Sequence, residues 1–250
     1  MHLGLLTCIG FHLFMIHRTV AAMASSSSKG ALIFLHGLGD SSAGWSHLES
    51  VLPSFHSRLK DIEYVFPDAP IIPITINGGM TMPGWFDLYD WPIDVGSKDD
   101  KEGLLRGMEQ IQEHVERLKS EKGIPPSKIV VGGFSQGGAI ALLSAYRHQQ
   151  KEQEHFAGCA GLSAWLTLPG ELDVSDEAKK TPLFWGHGRF DDKVLYLQQK
   201  FGVDKLREQG VSVQDESYDM AHSSHPDEMK AFADFVDSCI YETNIQTEEL

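Results

Sequence analysis

Cysteine is scarce in this chain: three thiols, Cys8, Cys159 and Cys239, are scattered through 250 residues. That is too few for a disulfide framework and too dispersed for a thiolate metal site. No His-Glu-x-x-His run or Cys/His cluster is present, so metal-dependent hydrolysis has no support in the sequence. Positive charge is also in deficit, with 21 Lys and Arg against 35 Asp and Glu, a formal net charge of −14. Such a balance disfavours nucleic acid and anionic bilayers as electrostatic partners and reads first as a device for solubility. No repeat of fixed period appears, which suits one α/β domain better than two. Cys159 and Cys239 lie in apolar runs and are expected to be buried thiols.

The two ends differ from the middle. Leu3 to Ile16 is apolar but interrupted by His12, and too short to span a bilayer comfortably. Ala22-Met23-Ala24 resembles a small-residue cleavage site, which would make residues 1–24 a secretory signal. Against that, no Lys or Arg precedes the apolar stretch, and Met23 is itself a candidate start. The expectation is a cytoplasmic protein with a leader over 1–28, a domain over 29–241 and an acidic tail over 242–250.

Within the domain, apolar patterning alternates as an α/β fold requires. Ala31 to Leu35 is a continuous apolar run, expected of a strand covered on both faces. Further strands are expected at Ile62–Phe66, 128–133, Phe156–Leu162, Leu183–Gly186 and Val211–Tyr218. Helices are expected at Glu102–Lys122, 135–149, Val194–Gln209 and Pro226–Tyr241. Leu104, Met108, Ile111, Val115 and Leu118 form one stripe of the first, which Gly123 and the Pro125-Pro126 pair end. A mostly parallel sheet flanked by helices on both faces is the consistent outcome. Residues 67–100 are rich in Pro, Gly and Asp without clear periodicity, and are expected to be a long functional loop.

The chemistry centres on Gly133-Phe134-Ser135-Gln136-Gly137-Gly138, between the apolar run Ile129-Val130-Val131 and a helix-like stretch. A G-x-S-x-G pattern at a strand–helix junction is the nucleophile elbow of α/β-hydrolases. The serine takes strained backbone angles there, and its glycine neighbours let strand and helix pack closely. A serine hydroxyl needs a base, and in this fold the order is Ser, acid, His. His187-Gly188-Arg189-Phe190-Asp191-Asp192 supplies carboxylates where a strand ends; periodicity alone does not choose between Asp191 and Asp192. His222 sits between the last strand and last helix, where the base belongs. His187 is read as structural and His225, before Pro226, as part of the helix start. Two amides should face the developing oxyanion: Gln136, after the serine, and Leu38, in the glycine turn after the first strand.

Five segments together resemble the acyl-protein thioesterase, lysophospholipase and small carboxylesterase family. They are Leu35-His36-Gly37-Leu38-Gly39-Asp40, Met82-Pro83-Gly84-Trp85-Phe86-Asp87, Gly132 to Gly138, Leu162-Ser163-Ala164-Trp165-Leu166 and His222-Ser223-Ser224. The resemblance runs from about Lys29 to Ile240. It implies the α/β-hydrolase fold and hydrolysis of acyl thioesters on protein cysteine, or of oxyesters such as lysophospholipids, with no cofactor. It places the acid on Asp191, the base on His222, the oxyanion amides on Leu38 and Gln136, and an acyl-channel aromatic on Trp165. The chain departs from the family pattern in the polar insert around Tyr89-Asp90-Trp91-Pro92 and at three further positions. Arg189 replaces an acidic residue and Asp192 a proline, which is expected to loosen the acid turn, and Gly84 replaces a serine.

Substrate is expected to meet Gly37, Met80, Met82, Trp85 and Trp165, with the methionines lining an adaptable acyl groove. For Trp85 and Phe86 a plain core role competes with that reading. Partners are then an acylated protein, a lysophospholipid or a small acyl ester, with no nucleic acid, at most peripheral membrane contact, and a monomer or weak dimer. Two alternatives remain: a short-chain carboxylesterase or deacetylase of the same fold, and a catalytically silent ligand-binding α/β-hydrolase.

Overall fold

The computed structural model describes residues 29–147 and 154–241. The leader expected over 1–28, the tail over 242–250 and the far end of the helix drawn to 149 lie outside the described residues. The chain runs β1 (Ala31–Leu35), α1 (Ser42–Trp45), α2 (Leu48–Phe55), β2 (Glu63–Val65), β3 (Ile71–Ile74), β4 (Met80–Pro83) and α3 (Lys101–Lys122). It continues as β5 (Ile129–Phe134), α4 (Gln136–Tyr146), β6 (Gly158–Leu162), β7 (Leu183–Gly188), α5 (Tyr196–Glu208), β8 (Val213–Tyr218) and α6 (Pro226–Tyr241).

Six strands form one sheet in the order β2-β1-β5-β6-β7-β8, and every neighbouring pair is parallel. Strand alternation divides the core. Ile33, Leu35, Val131 and Trp185 point to a layer with α3, α4 and α5, whereas Leu32, Phe34, Val130 and Phe184 point to α1, α2 and α6. The continuous apolar runs of β1 and β5 are therefore the signature of burial on both faces. α4 lies entirely in the interior, every residue of it buried, which is why its sequence shows no amphipathic stripe. α3 does show one: Leu104, Ile111, Val115 and Leu118 are buried, Asp100 accepts the Gly103 N–H at 3.1 Å, and Gly123 closes the helix at φ 69°.

Two expectations need correction. The segment 67–100 is not wholly irregular, because β3 and β4 pair antiparallel with Ile72 opposite Met82 and Ile74 opposite Met80. The turn Asn77-Gly78-Gly79, with both glycines at positive φ, is a local hairpin signal that low periodicity obscured. Of the two thiols expected to be buried, Cys159 is, but Cys239 is only half-buried.

The tightest packing lies where α4 meets the sheet. A Cβ on Gly137 would stand 2.3 Å from the Leu35 carbonyl oxygen and 2.5 Å from that of His36, both rigid backbone. Gly137→Ala should therefore cost at least about 3 kcal/mol, a fall in Tm on the order of 6–12 °C for a domain of this size. Gly170→Ala, where a Cβ meets nothing within 4 Å, should stay within about 2 °C of the parent. Parallel thermal melts check both, and equal melting temperatures would remove the close-approach account.

Candidate active site

Ser135 sits between β5 and α4 at φ 53° and ψ −121°, a backbone conformation costing on the order of 1–3 kcal/mol. Its surroundings hold it there. The Ser135 N–H donates to the Leu162 carbonyl at 2.8 Å, and the Ser135 carbonyl accepts from Ala139 at 3.0 Å. Gly133 and Gly138 leave no room for side chains: a Cβ on Gly133 would lie 2.5 Å from the Gly137 backbone, and one on Gly138 would lie 2.7 Å from Ala164 Cβ. The serine is thus set at the C-terminal edge of the sheet, on the first turn of a buried helix.

Asp191 follows the end of β7 and His222 the end of β8. His222 Nδ1 and Asp191 Oδ2 are 2.7 Å apart, so the carboxylate accepts the Nδ1 proton and leaves Nε2 as the free basic nitrogen. The other carboxylate oxygen accepts two amides, Lys193 and Val194, each at 2.9 Å. Burial pushes the Asp191 pKa upward, but the His222 hydrogen bond and charge, with these amides, outweigh it and hold the acid below its usual range. Asp192 is exposed and pairs with Lys193 at 3.3 Å, so of the two adjacent carboxylates it is Asp191 that meets His222. The His222 ring rests on that of Phe134, centroids 4.8 Å apart, beside the residue preceding Ser135.

His187 lies beneath this pair. It is fully buried, its Nε2 donates to the Val194 carbonyl at 2.9 Å, and burial lowers its pKa, keeping it neutral. It braces the acid loop from below, the structural role expected of it.

The turn expected to supply a second amide packs directly on the serine. A Cβ on Gly37 would lie 3.4 Å from Ser135 Cβ. The Leu38 N–H has no acceptor among the described residues, and the Gln136 N–H, first in α4, has none within its helix. Gly39 N–H, in contrast, donates to Pro83 at 2.8 Å and fixes the turn to β4.

Three residues shape this site in ways the sequence did not disclose. His36 donates from Nδ1 to Gly37 O at 2.7 Å and accepts the Ala69 N–H on Nε2 at 3.0 Å, while its carbonyl receives Trp85 Nε1–H at 2.9 Å. The Gln136 side chain clamps the long segment: Oε1 accepts the Trp85 N–H at 2.9 Å and Nε2 donates to the Phe86 carbonyl at 2.6 Å. Arg189 ties the acid turn to the base-bearing segment, donating to Asp219 at 3.0 Å and to the Ser217 carbonyl at 2.8 Å. Arg189 thus ties down one side of a turn that its departure and that of Asp192 together are expected to loosen. This ion pair is exposed, so it contributes only about 0.2–1 kcal/mol.

The expected substrate contacts separate by position. Trp85 is 2% exposed and Trp165 3% exposed, and Trp165 meets Phe86 edge-on at 5.8 Å. Both indoles therefore build the floor of the long segment rather than its open surface. Met80 is 64% exposed on the β3–β4 hairpin. Met82 is half-buried, its sulfur 3.9 Å from where a Gly39 Cβ would stand. No group of three or more His, Cys, Asp or Glu side chains among the described residues is arranged to hold a metal ion. No helix among them is long and apolar enough to cross a membrane.

Gln136→Ala tests the clamp without touching the backbone amide of residue 136. It leaves two buried backbone groups unpartnered, at about 1–3 kcal/mol each. Tm should fall on the order of 5–15 °C by thermal melting, and a fall under 2 °C would mean the clamp contributes little.

A Phospholipase/Carboxylesterase family model matches residues 17–240. Acyl-protein thioesterase 1 of Cryptococcus neoformans var. neoformans serotype D is 38% identical over 217 residues, covering 80% of this chain and 87% of its own. Among solved structures, Arabidopsis thaliana SOBER1 superposes with a TM-score of 0.76 at 30% identity, over 84% of this chain and 99% of its own. Zea mays acyl-protein thioesterase 2 gives 0.73 at 30% identity, over 86% and 96%. With matches over nearly all of the described domain, the chain belongs to the phospholipase/carboxylesterase family of α/β-hydrolases.

Proposed function

We propose that this protein hydrolyses acyl thioesters or oxyesters through an acyl-enzyme on Ser135, with His222 as base and Asp191 as its orienting acid. The observation that carries the reading is the 2.7 Å bond between Asp191 and His222 Nδ1, because it fixes which imidazole nitrogen is free to act. His222 Nε2 takes the hydroxyl proton as Ser135 Oγ attacks the acyl carbonyl, and returns it to the departing thiol or alcohol. Water, deprotonated by the same nitrogen, then attacks the Ser135 ester; as the bond to Oγ breaks, His222 passes the proton to Ser135 and the carboxylic acid is released. The Leu38 and Gln136 amides receive the negative oxygen formed in both steps, where loss of one donor typically costs ~10²–10³ in rate. Asp191 stays ionised throughout and stabilises the imidazolium; its three hydrogen bonds support that role.

The relatives named as acyl-protein thioesterases favour a long acyl chain carried on a protein cysteine. The exposed Met80 and half-buried Met82, on a hairpin packed against the Leu38 turn, suit an apolar chain of variable length. Trp165, Trp85 and Gly37 would then shape the site from beneath.

A fluorophosphonate probe should label the wild-type protein and not Ser135→Ala, and an unlabelled wild type refutes the catalytic reading. Asp191→Asn should retain the fold while lowering kcat by on the order of 10⁴. Acyl length is read with p-nitrophenyl esters from acetyl to palmitoyl alongside matched thioesters. Activity is expected to peak on long chains, and a maximum at two carbons would favour a short-chain esterase. Met80→Ala with Met82→Ala should shift that maximum; an unmoved profile removes the methionines from the groove.

A further inference from the structure

α6 begins four residues after His222, and its first turn is built in an unusual way. His225 is the capping residue, Pro226 opens the helix, and Glu228 stands at the third helical position. The Asp227 N–H donates to His225 Nδ1 at 3.2 Å, while the Glu228 carboxyl reaches back to the His225 N–H at 3.4 Å. This is the reciprocal geometry of a capping box, in which the acidic member ordinarily lies in solvent. Here it does not. Glu228 is fully buried, one oxygen has no partner, and the other has only that long amide contact.

The carboxyl is turned inward onto β7. A Cβ at Gly186 would lie 2.2 Å from Glu228 Oε1, so only glycine leaves space for it there. Gly186 is one residue before His187 and five before Asp191, in the strand that delivers the acid loop. The titratable groups around Glu228 are Glu216 and Tyr218 on β8, His225 on the preceding loop and Asp227 on its own helix. Gly186 brings none from β7. Tyr218 donates to Glu216 at 2.6 Å and stacks on His225, centroids 5.5 Å apart at 17°. No cation is bonded to the Glu228 carboxyl among the described residues.

A carboxylate needs several donors to replace water, and this one has a single weak contact. The neutral acid is the form this pocket accommodates.

We propose that Glu228 is a positioning residue for the catalytic base: held neutral, its buried carboxyl secures the His222–Pro226 segment against β7, and loss of its proton releases that segment. The proposal rests on the reading of His222 as base. Burial raises the Glu228 pKa, the His225 amide lowers it and Glu216 raises it, with a net value of about 8. A raised acid means that the folded state holds the proton more tightly than the unfolded chain. Stability contributed by the neutral form is thus complete below the unfolded value of about 4.5 and erodes as pH rises toward 8.

Glu228→Gln keeps shape and neutrality at every pH. We expect its kcat/KM for p-nitrophenyl octanoate to match wild type below about pH 7. Between pH 7 and 9.5 the wild type should lose at least about fivefold while the variant stays level. The Tm advantage of the variant should also widen from pH 5 to 9. Glu216→Gln serves as control and should retain the alkaline loss; if it abolishes the loss instead, Glu216 is the titrating group and the proposal fails. Superposed profiles for wild type and Glu228→Gln overturn it as well. Should that variant not fold, hydrogen exchange of wild-type peptides spanning 219–227, corrected for intrinsic pH dependence, reads the same event. Protection should drop above about pH 8, and unchanged protection from pH 6 to 9.5 overturns the proposal. Absence of probe labelling at Ser135 at any pH would instead refute the triad reading and leave the exchange result standing.

Discussion

The approach of the first turn of α4 to the ends of β1 and β5 is the constraint on which the site depends. Gly137 lies against the Leu35 and His36 carbonyls and Gly133 against Gly137 itself, so neither position tolerates a methyl group without backbone movement. That proximity forces Ser135 into its positive-φ turn and also sets the glycine turn of Gly37 against the serine. The strain at one residue is small beside the apolar burial of a helix with every side chain inside the protein. Site geometry is therefore inherited from core packing rather than assembled on flexible loops.

Gln136 extends the same constraint outward. Its backbone is placed by the elbow, and its side chain satisfies a donor and an acceptor in the segment around Trp85 and Phe86. His36 does the equivalent from β1, linking Ala69, Gly37 and Trp85. The long segment between β2 and α3 is thus attached at points that belong to the Ser135 elbow and to the turn beside it. Any change in α4 register would move the backbone around Trp85 and Phe86 together with the serine.

Much of this was legible in the sequence because it depends on local chemistry. Ser135 announces itself through glycines at fixed offsets, and the strands through continuous apolar runs. A carboxylate at Asp191 or Asp192 and the imidazole of His222 follow from chain order, since each occupies a strand end that the fold brings to one edge, and only the family resemblance favoured Asp191. Long-range partners were not legible. The partners of Arg189, Asp219 and Ser217, lie some 30 residues away and leave no local sign beside it. The β3–β4 hairpin was missed because Pro73 and exposed Ile71 and Met80 blur strand alternation. The box His225-Pro226-Asp227-Glu228 is readable as a helix start, but its inward turn depends on the absent side chain of Gly186.

Asp191 and Glu228 are both buried carboxyls packed against β7 or its C-terminal end, yet they are held in opposite charge states. The difference is the number of donors. Asp191 receives His222 on one oxygen and two amides on the other, so its ionised form is stabilised despite burial. Glu228 receives one amide at 3.4 Å, faces the acid Glu216, and is pushed to about 8. Desolvation sets the same direction for both, and hydrogen bonding decides the outcome. A permanent negative charge is useful on the side of the imidazole that must carry a proton. A neutral acid is useful on the side where a helix start must sit against bare backbone. His222 is bonded to Asp191 and the His225 amide to Glu228, so on the proposal above the placement of this segment rests on one carboxyl being charged and the other neutral.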